Sequence, residues 1–197
     1  MDSDYKDSFT TVRILSDKTE GLIHLKILKR HGQDRDTKIK NNFVGQLSKT
    51  NSQTLVKITE LLSSQLPPKT DKEVVVGLMT SGVIMCGYLA MIRESFFNYS
   101  VYSKFGDYEN AFNFTEEHRG GKRHFLYGVR PGDEIIIVED EVTSGNGISA
   151  LIKALREFGC GVKAVACVLE TINFNARENI QKQTGMELIS LTEIELS

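Results

Sequence analysis

Three short, largely apolar runs mark the chain after residue 70, at residues 74–79, 135–138 and 162–169. Each run is rich in β-branched residues, which is typical of a strand buried on both faces of a parallel sheet. Apolar residues at helical spacing follow the first two runs, at 83–93 and 148–158. Strands that alternate with helices in this way predict an α/β fold, in which a parallel sheet is flanked by helices.

The rest of the chain has weaker patterns. Residues 51–66 place Leu55, Ile58 and Leu62 on one stripe, which predicts an amphipathic helix that Asn51 or Ser52 caps. The first 48 residues look β-rich, with short strands predicted at 12–15 and 22–28. A further strand is predicted at 98–103, a short polar helix at 174–184 and a last strand at 186–191.

Two acids, Glu139 and Asp140, directly follow the apolar run at 135–138. A loop of small polar residues then precedes the helix, and its members are Thr143, Ser144, Gly145, Asn146 and Gly147. The N–H groups of a helix N-terminus bind phosphate, and glycines let the backbone close around it. Carboxylates at the carboxyl end of a strand accept hydrogen bonds from a diol. The pattern therefore predicts a site for a ribose 5-phosphate, where open α/β sheets bind ligands.

The stretch VEDEVTSGNG resembles the phosphoribosyl diphosphate (PRPP) signature of type I phosphoribosyltransferases. The resemblance implies a Rossmann-like parallel sheet with a small β-rich hood. It divides the chain into an N-terminal hood segment and helix (1–70), a PRPP-binding core (71–185) and a C-terminal strand that joins the hood (186–197). It assigns the ribose hydroxyls to Glu139 and Asp140, and the 5-phosphate to the five loop residues 143–147. It covers residues 74–196 well and residues 1–70 poorly.

Two loop positions refine the resemblance. The family usually ends this loop with Thr, whereas this chain has Gly147 and lacks that phosphate-binding hydroxyl. Family members that act on 6-oxopurines carry Asp where this chain has Thr143, so Thr143 favours the orotate type. Glu141 and the Gly145-Asn146 pair also resemble a phosphoribosyltransferase-like group associated with tellurite-resistance gene clusters.

Two further segments are candidates for binding the diphosphate. Thr80, Ser81 and Gly82 follow the run at 74–79 in the same strand–loop–helix order, and by resemblance they bind the pyrophosphate of PRPP. The polar stretch 104–127 is interpreted either as a mobile basic lid or as a solvated β-hairpin. As a lid it would offset charge on the leaving pyrophosphate, and the candidate residues are Lys104, Lys122, Arg123 and His124.

The resemblance implies Mg²⁺-dependent transfer of a 5-phosphoribosyl group between PRPP and a nitrogenous base, with orotate or another pyrimidine favoured. Asp140 would stabilise positive charge at the anomeric carbon. Mg²⁺ would be held mainly by the diphosphate and the ribose hydroxyls, with Glu139 and Asp140 second. Two alternatives stay open. One is a PRPP- or nucleotide-binding regulator on the same fold. The other is a Rossmann-like, phosphatase or receiver-like domain whose acids bind Mg²⁺ or face solvent.

Composition adds few constraints. The net charge of −2 indicates neither nucleic acid nor a membrane surface as a partner. No apolar run approaches membrane-spanning length. The three cysteines, Cys86, Cys160 and Cys167, each fall in an apolar segment, which predicts buried free thiols and a reducing, cytoplasmic compartment. A homodimer is expected by resemblance only.

Overall fold

The computed structural model describes residues 12–29, 37–47, 49–105, 111–116 and 121–196. The first elements are β1 (Val12–Asp17), β2 (Leu25–Lys29), β3 (Thr37–Asn41) and α1 (Ser52–Ser64). The middle of the chain forms β4 (Glu73–Gly77), α2 (Gly82–Arg93), β5 (Phe96–Tyr99), β6 (Ala111–Glu116) and β7 (Lys122–Tyr127). The last elements are β8 (Glu134–Val142), α3 (Asn146–Glu157), β9 (Gly161–Thr171), α4 (Ala176–Thr184) and β10 (Leu188–Leu196).

Six strands form one sheet in the order β1-β10-β9-β8-β4-β5. Only β1 runs antiparallel to its neighbour, and the other adjacent pairs are parallel. The chain moves outward from β4 to β5 on one side and from β8 to β9 on the other, so the strand order reverses between β4 and β8. The α/β prediction is therefore confirmed. This reversal places a crevice beyond the carboxyl ends of β4 and β8.

The core lies on both faces of the sheet. Ile135 and Ile137 of β8 pack in a cluster with Leu151 of α3. Ile136 points to the opposite face and packs in a second cluster with Ile58 of α1. Successive strand side chains alternate between faces, so a strand that is buried on both must be apolar at every position. The prediction from the continuous apolar run is confirmed.

The helix predicted at 51–66 is present as α1, and the side chain of Asn51 caps it by accepting a hydrogen bond from the Gln53 N–H. The three cysteines are buried and free, as predicted. Among the described residues, none of the helices has the length and apolar character needed to cross a membrane.

Several predicted boundaries differ from the structure. The strand predicted at 22–28 is Leu25–Lys29, and the strand predicted at 186–191 is Leu188–Leu196. The strand predicted at 98–103 lies earlier, at Phe96–Tyr99. The pairing of β5 with β4 ends at Tyr99. Val101 then makes an isolated antiparallel bridge to Phe125 of β7, which explains why Val101 is buried although it lies outside a strand. The strand predicted at 135–138 runs on to Val142. Glu139 and Asp140 therefore lie within the strand, and both lie next to the segment that joins β4 to α2.

The first and last described strands pair at one edge of the main sheet. β10 lies parallel to β9 on one side and antiparallel to β1 on the other. β2 and β3 form a separate antiparallel pair. The division into hood and core stays a prediction, with β10 contributing directly to the main sheet.

Candidate active site

Two strand–loop–helix units meet at the reversal of the strand order. β4 leads through residues 78–81 into α2, and β8 leads through residues 143–145 into α3. β4 and β8 are adjacent and parallel, with Gly77 paired to Val138. The predicted pyrophosphate loop and the predicted phosphate loop therefore lie side by side at the same edge of the sheet.

The carboxylate of Glu139 spans the two units. The backbone N–H of Leu78, at the end of β4, donates to Glu139 Oε1 at 2.6 Å. The start of α2 lies just as close, because a Cβ built on Gly82 would be 2.5 Å from the same oxygen. Glycine at position 82 thus leaves the room that the buried carboxylate of Glu139 occupies.

We expect Gly82→Ala to displace the Glu139 carboxylate and to weaken PRPP binding by at least about tenfold, the equivalent of about 1.4 kcal/mol. Calorimetric titration with PRPP and Mg²⁺ measures the effect. The matched control is Gly87→Ala on the same helix, where an added Cβ meets nothing within 4 Å. That change should leave binding unaltered and stabilise α2 by about 0.5–1 kcal/mol. Equal affinity of both variants would contradict the proposed role of Gly82.

Asp140 lies in a buried polar cluster and is 7% exposed. Side-chain amides donate to its Oδ2, from Asn41 at 3.3 Å and from Gln46 at 3.4 Å. The Gln46 amide also donates to Ser81 Oγ at 3.0 Å. Burial raises the pKa of Asp140, although hydrogen bonds from the Glu141 backbone and from Asn41 oppose the rise. The cluster joins β8 to the predicted pyrophosphate loop and to the N-terminal part of the chain.

Asn41 and Gln46 were not among the predicted site residues. They lie at the end of β3 and in the turn that follows it. Polar residues of this kind are common in turns, so their types alone indicate nothing beyond a turn. Their contact with Asp140 is what assigns them to the site.

The predicted phosphate loop is supported from behind by α4. Gly145 has a φ of +70°, and a Cβ there would lie 2.7 Å from Ile180 Cγ1. The Asn179 side chain donates to the Ser144 carbonyl at 3.1 Å. The loop ends where α3 begins, at Asn146. The N–H groups of the first turn of α3 thus lie at the crevice beside the half-buried Thr143.

The predicted pyrophosphate loop is tied to the segment after β5. The Met79–Thr80 peptide bond is cis. The Met79 N–H donates to Ser100 Oγ at 3.3 Å, and the Tyr102 hydroxyl donates to the Met79 carbonyl at 3.2 Å. Thr80 is exposed and Ser81 is half-buried. This loop is therefore held from both sides, by Gln46 and by the segment 100–102.

The stretch 104–127 contains the antiparallel hairpin β6–β7, and residues 106–110 and 117–120 lie outside the described residues. Lys122 and His124 lie on one face of the hairpin, and Arg123 lies on the other. Lys122 and Arg123 are exposed, whereas His124 is buried. Lys104 is exposed outside the hairpin. The structure thus brings two of the four predicted basic residues onto one face. Their role towards pyrophosphate stays a prediction.

His124 is the most enclosed of these residues, at 2% exposure. Its ring stacks on Phe114 and meets the edge of Tyr102, with ring centroids 4.8 Å apart in each case. Lys122 Nζ lies 5.3 Å from the centre of the Tyr102 ring. The rings of Phe114 and Tyr102 therefore shield His124 from solvent.

Comparison with known proteins adds a family to this geometry. A family model described as phosphoribosyl transferase matches residues 27–195. The hypoxanthine/guanine phosphoribosyltransferase of Methanothermococcus okinawensis is 35% identical over 72 residues, which are 36% of this chain and 38% of the relative. That of Methanocaldococcus infernus is 32% identical over the same shares of the two chains. The chain thus matches little more than a third of the length of these curated relatives.

Solved structures share the fold. The adenine phosphoribosyltransferase of Thermoanaerobacter pseudethanolicus matches with a TM-score of 0.69 at 17% identity, over 86% of this chain and 95% of that chain. The Trypanosoma brucei enzyme, solved with AMP, pyrophosphate and ribose-5-phosphate, matches with a TM-score of 0.68 at 12% identity, over 89% and 78% of the two chains. These matches confirm the predicted fold class. Since the family model spans most of the sequence, the chain belongs to the phosphoribosyl transferase family.

Proposed function

We propose that this protein transfers a 5-phosphoribosyl group between PRPP and a nitrogenous base. The carrying observation is the convergence of two strand–loop–helix units at the reversal of the sheet, with the carboxylates of Glu139 and Asp140 between them. One loop lies at a helix N-terminus suited to a phosphate. The acidic pair suits a diol, and the second loop lies beside it for the diphosphate. Together these parts correspond to the groups of one ribose that carries both a phosphate and a diphosphate.

In the proposed reaction the bond between the anomeric carbon and the diphosphate oxygen breaks, and a bond from a base nitrogen to that carbon forms. The diphosphate leaves with the electron pair, and the proton on the base nitrogen is released. Residues 143–147 bind the 5-phosphate, and residues 80–82 bind the diphosphate. Asp140 faces the positive charge that develops on the ribose ring. The protein thereby contributes positioning and charge stabilisation rather than a covalent nucleophile.

Mg²⁺ is the proposed cofactor. Among the described residues, no group of three or more His, Cys, Asp or Glu side chains is arranged around a common metal position. Glu139 and Asp140 offer two carboxylates at the crevice, which fits an ion that takes its other oxygen ligands from the diphosphate, the ribose hydroxyls and water. When bound there, Mg²⁺ would neutralise charge on the leaving diphosphate.

The proposed base is a purine. The orotate preference inferred from Thr143 has no support from the comparisons, because the relatives are named for hypoxanthine/guanine and the structural neighbours for adenine. Thr143 still provides no carboxylate at the position where 6-oxopurine enzymes carry Asp. This favours a base that binds without a side-chain carboxylate at that position.

A pyrophosphate-release assay with PRPP and Mg²⁺ tests the proposal over adenine, hypoxanthine, guanine, orotate and uracil. Release with one purine is the expected result. Release only with orotate or uracil would overturn the purine preference and keep the reaction. Failure of every base, with PRPP bound, would overturn the transferase function.

A second candidate is a PRPP-binding regulator on the same fold. This candidate is favoured by the hydrogen bonds that the Asp140 carboxylate already accepts from Asn41 and Gln46. A ribose diol would have to share this carboxylate with two amides that both bind Oδ2. The regulator predicts saturable PRPP binding without pyrophosphate release, which the same assay, combined with calorimetry, distinguishes from transfer.

A further inference from the structure

The N-terminus of α3 is covered by a carboxylate from another element. The first turn of α3 contains no acidic residue. Glu116, the last residue of β6, lies there instead, since a Cβ built on Gly147 would be 3.1 Å from Glu116 Oε1 and 3.2 Å from its Cδ. The Glu116 side chain thus occupies the room that a larger side chain at position 147 would need.

This location is the proposed 5-phosphate site. A helix N-terminus carries partial positive charge and attracts anions, and the effect is confined to the first turn. The Glu116 carboxylate, which lies close to Gly147 in that first turn, is therefore exposed to the same partial positive charge. Two anions at one helix end repel each other, so the phosphate and the carboxylate must compete for it.

Glu116 is also connected to the pyrophosphate loop. Its Oε2 lies 3.6 Å from His124 Nε2, and His124 Nδ1 lies 3.0 Å from Ser100 Oγ. Ser100 Oγ accepts the Met79 N–H, so its own hydroxyl hydrogen can be donated to Nδ1. The other ring nitrogen of His124, Nε2, faces Glu116. A row of side chains thus runs from the phosphate loop to the pyrophosphate loop.

We propose that Glu116 determines how the chain binds the phosphate end of its substrate. Its carboxylate lies beside the first turn of α3, and a phosphate that binds there must displace it. Gly147 makes the arrangement fit, so the glycine and the carboxylate form one feature. The inference rests on the proposed function, because the phosphate in question is the 5-phosphate of the ribosyl substrate.

Calorimetric titration of the full chain with ribose 5-phosphate tests the proposal, with ribose as the probe that lacks the phosphate. Glu116→Gln keeps the size of the side chain and removes its charge. We expect it to bind ribose 5-phosphate about tenfold more tightly than the wild type, with no gain for ribose. The matched control is Glu157→Gln, an exposed residue at the other end of α3. It removes the same charge and should change neither affinity. Unchanged or weaker binding by Glu116→Gln would overturn the proposal.

Gly147→Thr provides a second, independent variant. The threonine side chain would displace the Glu116 carboxylate from its position next to residue 147 and would place a hydroxyl there. We therefore expect tighter binding of ribose 5-phosphate. The double variant should gain less than the product of the two single gains, because both changes remove the same obstruction. Fully multiplicative gains would show that the two residues act separately and would also overturn the proposal.

The pyrophosphate-release assay on the same variants separates this inference from the proposed function. Tighter ribose 5-phosphate binding by Glu116→Gln without release for any base keeps the inference and refutes the transferase. Release by the wild type, without any gain in Glu116→Gln, refutes the inference alone. If neither protein binds ribose 5-phosphate nor releases pyrophosphate, both are wrong.

Discussion

Replacing Asp140 by Asn is expected to lower kcat/KM for PRPP-dependent transfer by about 10²–10³-fold, the range found when one preorganised electrostatic contact to a transition state is removed. The change keeps the shape of the side chain and removes the negative charge proposed to face the ribose ring. Pyrophosphate release under steady-state conditions measures it. Asp71→Asn, in the exposed turn before β4, is the matched control and should retain wild-type activity. Full turnover by Asp140→Asn would refute the assignment.

The pH dependence gives a second measure of the same residue. Burial raises the pKa of Asp140 above the ordinary value for an aspartate. The ionised form is the one proposed to act, so kcat/KM should fall as the pH drops through this raised pKa, and Asp140→Asn should lack that limb. Stability responds in the opposite sense. The folded protein holds the proton more tightly than the unfolded chain, so this residue's contribution to stability decreases as the pH rises through the same range.

The sequence predicted the parts of the site that are local. A continuous β-branched run, an acidic pair and a small-residue loop before a helix are contiguous in the chain, and each part has its own physical reason. The loop at 80–82 was predicted on the same grounds. Because both loops follow adjacent parallel strands, their convergence follows from the topology once the strand order is known.

The parts that could not be predicted are contacts between distant segments. Asn41 lies 99 residues and Gln46 lies 94 residues from Asp140 along the chain. Glu116 reaches Gly147 through the packing of the hairpin on α3. Such contacts leave no periodic pattern, since a polar residue at a turn or a strand end has the same appearance whether it faces solvent or a site. The misplaced strand at 98–103 has the same cause, because Val101 is buried by its bridge to β7.

A buried ion pair joins the end of α2 to the start of β4, at the end of the sheet opposite the candidate site. Arg93 donates to both carboxylate oxygens of Glu73, at 2.7 and 2.6 Å, and also to the Pro67 carbonyl at 2.9 Å. The two side chains are 7% and 4% exposed. Burial alone would raise the pKa of Glu73, but hydrogen bonds from Arg93 and Ser95 outweigh it and the net pKa is lowered.

We therefore expect Arg93→Met to lower the free energy of unfolding by about 3–5 kcal/mol, because it leaves the Glu73 charge buried without its partner. Urea denaturation at neutral pH measures the loss. Arg13→Met is the matched control, since Arg13 and Glu195 form an exposed pair, at 71% and 38% exposure, and its loss should cost less than about 1 kcal/mol.

Because the pKa of Glu73 is lowered, the stabilisation by the Arg93–Glu73 pair is complete above the ordinary glutamate pKa and disappears as the pH falls through the lowered one. The gap between wild type and Arg93→Met should close over that acid range. A small gap at neutral pH would contradict the expected loss of stability. A gap that does not depend on pH would mean that the pair contributes packing rather than charge.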